Sequence, residues 1–135
     1  GNVGTIARTG LALGAAGLVA LPGTADLLNP KALRGSMGAL FRLPAVHLSE
    51  TEFLAWSGSA GVDVWAADAH GEDIRRIPPP AAPVALILGN EGAGVRPDLA
   101  SASARRVAVP ITAGAESLNV AVAAGILLHE VMRGR

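Results

Sequence analysis

The residues from Leu86 to Val95 carry the strongest chemical signal in the chain: Leu86-Ile87-Leu88 runs directly into Gly89-Asn90-Glu91-Gly92-Ala93-Gly94-Val95. An apolar run that breaks into three glycines around one carboxylate reads as a buried parallel strand and a sharp loop, whose backbone can approach a ligand closely. Ligands of open α/β sheets collect outside the carboxyl ends of the strands, so this segment predicts a ligand floor. Two other stretches hold groups able to orient or polarise a substrate. One is Asn2-Val3-Gly4-Thr5-Ile6-Ala7-Arg8-Thr9; the other is Val109-Pro110-Ile111 followed by Glu116-Ser117-Leu118-Asn119. Singly, each has a structural explanation: Asn2 and Ser117 as helix caps, Arg8 as a solvated helix residue, the glycines as a tight turn. Gly89-Asn90-Glu91-Gly92-Ala93-Gly94 lacks the G-x-G-x-x-G spacing and lies late in the chain, which argues against the alternative of a Rossmann-type oxidoreductase.

The elements that must hold these groups alternate between helix and strand. Asn2 is placed to cap a helix reaching about Ala16, and Leu18 to Leu21 reads as a strand ended by Pro22-Gly23. Asn29-Pro30 starts a helix that fades near Phe41, and Val46 to Leu48 is a short strand. Ser49-Glu50-Thr51-Glu52 has capping-box form and opens a helix to about Ser59. Val62 to Ala66 alternates as a strand, and Asp68 to Pro83 reads as a surface loop. Val84 to Leu88 is the floor strand, Pro97 to Ala102 a short helix and Arg106 to Val109 another strand. Ser117 caps a last helix reaching about Met132, apolar on more than one side and therefore expected to be buried on more than one side. Such alternation predicts an α/β fold with a mostly parallel sheet and helices on both faces.

Bulk properties narrow the function. At 135 residues the chain suits one domain with a real core, and it has no cysteine for a disulfide framework or a thiolate nucleophile. His47, His70 and His129 show no metal-ligand spacing. The formal net charge is zero and aromatics make up 3%, which gives no charge signal for nucleic acid and argues against a base-stacking platform. The apolar stretch from Gly10 to Leu21 imitates a signal peptide but is glycine-rich and shorter than the roughly 18 residues of a membrane span. A cytoplasmic protein without membrane attachment is expected.

Taken together and in this order, the three stretches resemble the signature motifs of the SpoU (TrmH-like) family of the SPOUT superfamily, RNA ribose 2′-O-methyltransferases that use S-adenosyl-L-methionine. Asn29-Pro30-Lys31 and Arg34-Gly35-Ser36-Met37-Gly38-Ala39 resemble the family's segment between the first two motifs. The resemblance implies a catalytic domain over 1–135 with a deep C-terminal trefoil knot, a feature periodicity alone would not predict. It implies a homodimer formed through the first and last helices, and rRNA, or else tRNA, as substrate. It also implies that the family's first strand, and any upstream RNA-binding domain, are missing here. A non-catalytic SPOUT scaffold that binds RNA is the other alternative.

By the same resemblance, the cofactor is held by Leu88, Gly89, Glu91, Val109, Pro110, Ile111 and Leu118. Arg8 acts on the ribose hydroxyl or its neighbouring phosphate. A guanidinium with a pKa above about 12 makes a poor base, so its role reads as electrostatic positioning, with the proton passing to phosphate or water. Asn2 and Asn119 orient Arg8 or the ribose, and Ser117 faces the site. Glu91 holds Arg8, the ribose hydroxyls or a loop amide. Arg8, Lys31 and Arg34 contact RNA, with Arg42 extending a phosphate-binding edge, while Arg75-Arg76 and Arg105-Arg106 read as surface charge. No metal is required, since a sulfonium methyl is already activated.

Overall fold

The computed structural model describes residues 2–90 and 93–133. The elements run α1 (Asn2–Ala12), β1 (Leu18–Ala20), α2 (Pro30–Gly35), β2 (Ala45–His47), α3 (Glu50–Ala60), β3 (Asp63–Asp73), β4 (Val84–Ile87), α4 (Pro97–Ala102), β5 (Arg105–Ala108) and α5 (Val120–Val131). Short 3-10 turns at Ala39–Phe41 and Ile74–Arg76 complete the set. The chain divides into two compact units, 1–55 and 56–135.

In the first unit β1 and β2 pair in parallel, Leu18 to Ala20 against Ala45 to His47. Ala7, Ala39 and Leu43 form its core, with Leu11, Leu18 and Leu40 packed against them. α1 ends at Ala12, short of the expected Ala16, because Gly14 takes φ +90°. Its N–H donates to Leu11 O at 3.3 Å and that of Ala15 to Gly10 O at 2.8 Å, the paired bonds of a Schellman motif. α2 starts as expected: Asn29 Oδ1 accepts from the Lys31 N–H at 2.8 Å and Pro30 fills the first position. It stops at Gly35 rather than near Phe41, because Met37 (φ +53°) and Gly38 (φ +87°) both leave the right-handed region. A β-carbon on Gly4 would strike the backbone of α2 at Ala32 O and Ser36 N, so only glycine lets α1 and α2 come this close.

The expected capping box is present. Ser49 N–H donates to Glu52 Oε1 at 2.8 Å and Glu52 N–H donates to Ser49 Oγ at 3.1 Å. The Glu52 carboxyl is held below its ordinary pKa, first by the Ser49 backbone N–H and then by the Ser49 side chain.

The second unit has a parallel sheet in the order β4-β3-β5. β3 runs to Asp73, through residues expected to form a loop. Its pairing with β5 is irregular: Val107 lies opposite both Ala67 and Glu72, with a bulge between them. Gly71 sits where a β-carbon would collide with the backbone of Arg106 and Val107, so the polar, glycine-containing sequence there permits a bulge rather than ending the strand. Trp65, Ile74, Ile77, Val107, Leu127 and Val131 make the core of this unit. Leu127 and Val107 are fully buried, each worth about 1.5–3 kcal/mol of transfer energy. Arg133 donates to Ile77 O at 3.0 Å, fixing the end of α5 to the same core.

α5 is buried along Ala121, Ala124, Leu127 and Val131, whereas Val122 (52%) and Ile126 (39%) remain exposed. The single chain thus covers α5 along one stripe and leaves this part of its apolar surface in solvent. No helix among the described residues is long and apolar enough to cross a membrane.

Candidate functional site

The three stretches singled out in the sequence fall into both units, and each is built by its own local logic. In the second unit, β4 and β5 run parallel to β3 on either side of it. Ile87 lies level with Ala66, and Val107 level with Ala67. Both following loops therefore leave the same, carboxyl edge of the sheet, two strand spacings or about 10 Å apart. Leu88 and Gly89 are half-buried there, as is Val109, while Pro110, Ile111, Ser117, Leu118 and Asn119 are exposed.

The loop after β4 folds back on itself: Gly94 N–H donates to Asn90 O at 2.9 Å, and Gly94 has φ +72°. A β-carbon at Gly89 would run into the backbone of Gly94 and Val95. Gly89 and Gly94 are thus demanded by this turn, as their spacing predicts. Glu91 lies outside the described residues.

After β5, Ala115 N–H donates to Thr112 O at 3.2 Å, a turn that places Gly114 at φ +91°. Asn119, not Ser117, caps α5. Its Oδ1 accepts from Ala121 N at 2.9 Å and from Val122 N at 3.3 Å. Both residue types cap well, and the point where the loop turns into the helix selects the later one. This edge thus offers small-residue turns with accessible main chain, two exposed aliphatic side chains (Ile111 and Leu118), and a helix N-terminus held by an amide.

The first unit carries cations of its own. Arg8 projects from α1 and is exposed; Lys31 and Arg34 are exposed on α2. The backbone contact at Gly4 fixes the helix bearing Arg8 against the helix bearing Lys31 and Arg34. Asn2 is the first residue of α1 itself, half-buried, rather than the residue before it. Among the described residues, no carboxylate pairs with Arg8, Lys31, Arg34 or Arg42. Arg75 and Arg76, by contrast, pair with Asp73, Arg105 with Glu72 and Arg106 with Asp68, which agrees with their reading as surface charge. Asp73 is held below the usual carboxylate range, first by the Arg75 side chain and then by its backbone N–H.

A further feature of the first unit was not anticipated. An open hollow of about 340 Å³ lies at the carboxyl ends of β1 and β2, lined by Ala20 to Thr24 and His47 to Ser49. His47 Nε2 stands 3.8 Å from Asp26 Oδ1 at its side. Only the Pro22-Gly23 turn after β1 marks this place in the sequence. No cluster of metal-ligating side chains occurs among the described residues.

Comparison with known proteins adds to this geometry. Residues 1–129 match the family described as SpoU rRNA Methylase. The chain is 40% identical over 132 residues to the 23S rRNA (guanosine(2553)-2′-O)-methyltransferase RlmP of Bacillus subtilis, covering 97% of this chain and 53% of that protein. Among solved structures, an AdoMet-bound rRNA methyltransferase from Sinorhizobium meliloti aligns with a TM-score of 0.92 at 38% identity, over 98% of this chain and 51% of that one. The SpoU methyltransferase AviRb from Streptomyces viridochromogenes, in complex with AdoMet, gives 0.91 at 34% identity, over 98% and 52%. The chain spans about half the length of the curated relatives it matches.

Proposed function

Because the chain belongs to the SpoU rRNA methylase family, we propose that the protein transfers a methyl group from S-adenosylmethionine to a ribose 2′-hydroxyl of ribosomal RNA. The observation that carries this reading is the pair of glycine-bearing loops leaving one edge of the β4-β3-β5 sheet, in a chain whose relatives are named for that reaction on 23S rRNA.

The donor set suits this cofactor. Main chain at Gly94 and Gly114 is open to approach, and Ile111 and Leu118 offer aliphatic contact to an adenine. Leu88, Gly89, Glu91, Val109, Pro110, Ile111 and Leu118 would hold the molecule, which supplies a methyl group already activated on a sulfonium. Arg8, permanently charged, holds the phosphate beside the target ribose and stabilises the oxygen as its proton leaves to phosphate or water. Asn2 and Asn119 orient the guanidinium or the ribose, Ser117 lines the approach, and Glu91 braces the loop or the ribose hydroxyls. Lys31 and Arg34 hold neighbouring phosphates of the RNA.

The finer architecture belongs to the same proposal. Residues 1–135 act as a catalytic domain, with the loops at 88–95 and 109–116 belonging to a deep trefoil knot. The protein works as a cytoplasmic homodimer that uses the exposed face of α5 (Val122 and Ile126). Ile126→Glu should then yield monomer in sedimentation; an unchanged dimer would remove that face from the interface.

Calorimetry tests the central reading. The full-length protein should bind S-adenosylhomocysteine and not NAD, and should transfer labelled methyl groups to 23S rRNA from cells lacking its gene. The labelled position should resist alkaline cleavage. Binding of NAD alone, or label on a base rather than a ribose, would overturn it.

A further inference from the structure

The segment between Asp26 and Glu50 contains no carboxylate, yet it holds Lys31, Arg34 and Arg42. It also exposes large apolar side chains: Phe41 (75%), Leu28 (73%) and Met37 (72%). The buried stripe of this segment is Ala32, Ser36, Ala39 and Leu43, which face inward at helical spacing. Met37 adopts φ +53° and Gly38 φ +87°, and this break ends α2 and begins the 3-10 turn at Ala39–Phe41. A left-handed backbone is costly for a residue with a β-carbon. Leu40 and Leu43 on either side pack into the core, whereas Phe41 does not. A phenyl ring is thus held in solvent, next in sequence to Arg42, on a turn anchored from beneath.

We propose that Phe41, with Met37 near it in sequence, is a stacking platform for an unpaired base of the RNA, flanked by phosphate contacts from Lys31, Arg34 and Arg42. This rests on the reading of the substrate as RNA, and adds to it a residue that grips a base. Proteins take hold of single-stranded RNA by stacking splayed bases on aromatic rings while cations track the backbone. A second copy of the chain suits the surface less well. A two-fold contact would set these cations against their own copies, with no carboxylate in the segment to neutralise them. RNA brings the missing negative charge. The low aromatic content, which argued against stacking, counts rings without regard to where they sit; one exposed ring in a segment free of carboxylates is enough.

The test uses the full-length protein and fluorescein-labelled polyuridine. Phe41→Ala should weaken binding roughly 5- to 150-fold, the range for losing one stacked base. Phe41→Tyr should restore it, and Phe41→Leu, apolar but without a π face, should not. All three should bind S-adenosylhomocysteine like the parent. The proposal fails if Phe41→Leu binds polyuridine as tightly as the parent, or if the parent does not bind it at all. It also fails if Phe41→Ala converts a dimer to monomer with polyuridine affinity per subunit unchanged, since the ring then serves a second copy. Should the parent ignore S-adenosylhomocysteine while polyuridine binding still needs the ring, the methyl-transfer reading falls and the platform stands.

Discussion

Basic residues in the two units are held differently. In residues 56–133, Arg75 and Arg76 share Asp73, Arg105 pairs with Glu72, Arg106 with Asp68 and Arg133 with Glu130 at 2.7 Å. The Arg105 guanidinium also lies over the Trp65 ring, 5.4 Å from its centre. In residues 2–55, Arg8, Lys31, Arg34 and Arg42 have no such partners among the described residues. A surface ion pair is worth little to stability, about 0–1 kcal/mol, but it cancels the field that would recruit a phosphate. Whether a charge is already matched within its own unit thus divides the basic residues into two groups, a division that the net charge of zero hides.

The sharpest way to break this contrast is Arg8→Ala in the full-length protein. Methyl transfer to rRNA should fall about 100- to 1,000-fold, the usual loss for one electrostatic group at a reacting oxygen, with S-adenosylhomocysteine affinity kept. A near-normal rate would show that an unpaired arginine here is merely solvated. In the second unit the corresponding probe is Asn119. Asn119→Asp keeps the oxygen that caps α5 and removes the amide donors, so stability in urea should change by less than about 0.5 kcal/mol while transfer slows. Asn119→Ala should cost about 1 kcal/mol of stability as well. Equal activity in the aspartate variant and the parent would leave Asn119 with capping alone.

Smaller effects sharpen the comparison. Lys31→Gln should lower RNA affinity and reduce the salt dependence of binding by about 0.7 to 1 in logarithmic slope, as one released counterion requires. Arg106→Gln should leave that slope as it was and alter stability by under about 1 kcal/mol; a slope change as large as that of Lys31→Gln would erase the difference between the units. The least effect concerns acid. Glu52 and Asp73 have their folded pKa values lowered, so their contributions are present above the ordinary values of 4.5 and 3.8 and fade as pH falls through the lower folded ones. Thermal melts taken from about pH 6 to about pH 3 should decline in that window, and Glu52→Gln should remove the α3 part of the decline. A Tm that rises on acidification would contradict the sign.

Much of this was legible beforehand because it is local. Asn29-Pro30, Ser49 with Glu52, and Gly89 with Gly94 each act over a few residues, and each appears where the spacing predicts. The ion pairs of Arg75-Arg76 and Arg105-Arg106 also fit their reading as surface charge. The misses are non-local. β3 persists to Asp73 because a distant strand, β5, accepts a bulge at Gly71. Asn119 displaces Ser117 as the cap because the loop enters α5 two residues later than expected. The exposed faces of α5 and of Phe41 depend on what packs around them, which no pattern of apolar residues specifies by itself.

Composition, spacing and turn chemistry alone settled the order of helices and strands and the glycine-bearing loop after β4, since each depends on neighbours close along the chain. Tertiary structure decided which cations find a carboxylate among the described residues, which ring meets solvent and which edge of the sheet gathers the loops after β4 and β5. Those depend on strand register and on backbone contacts such as Gly4 against α2, between residues far apart in sequence, where side-chain type gives no guide to distance.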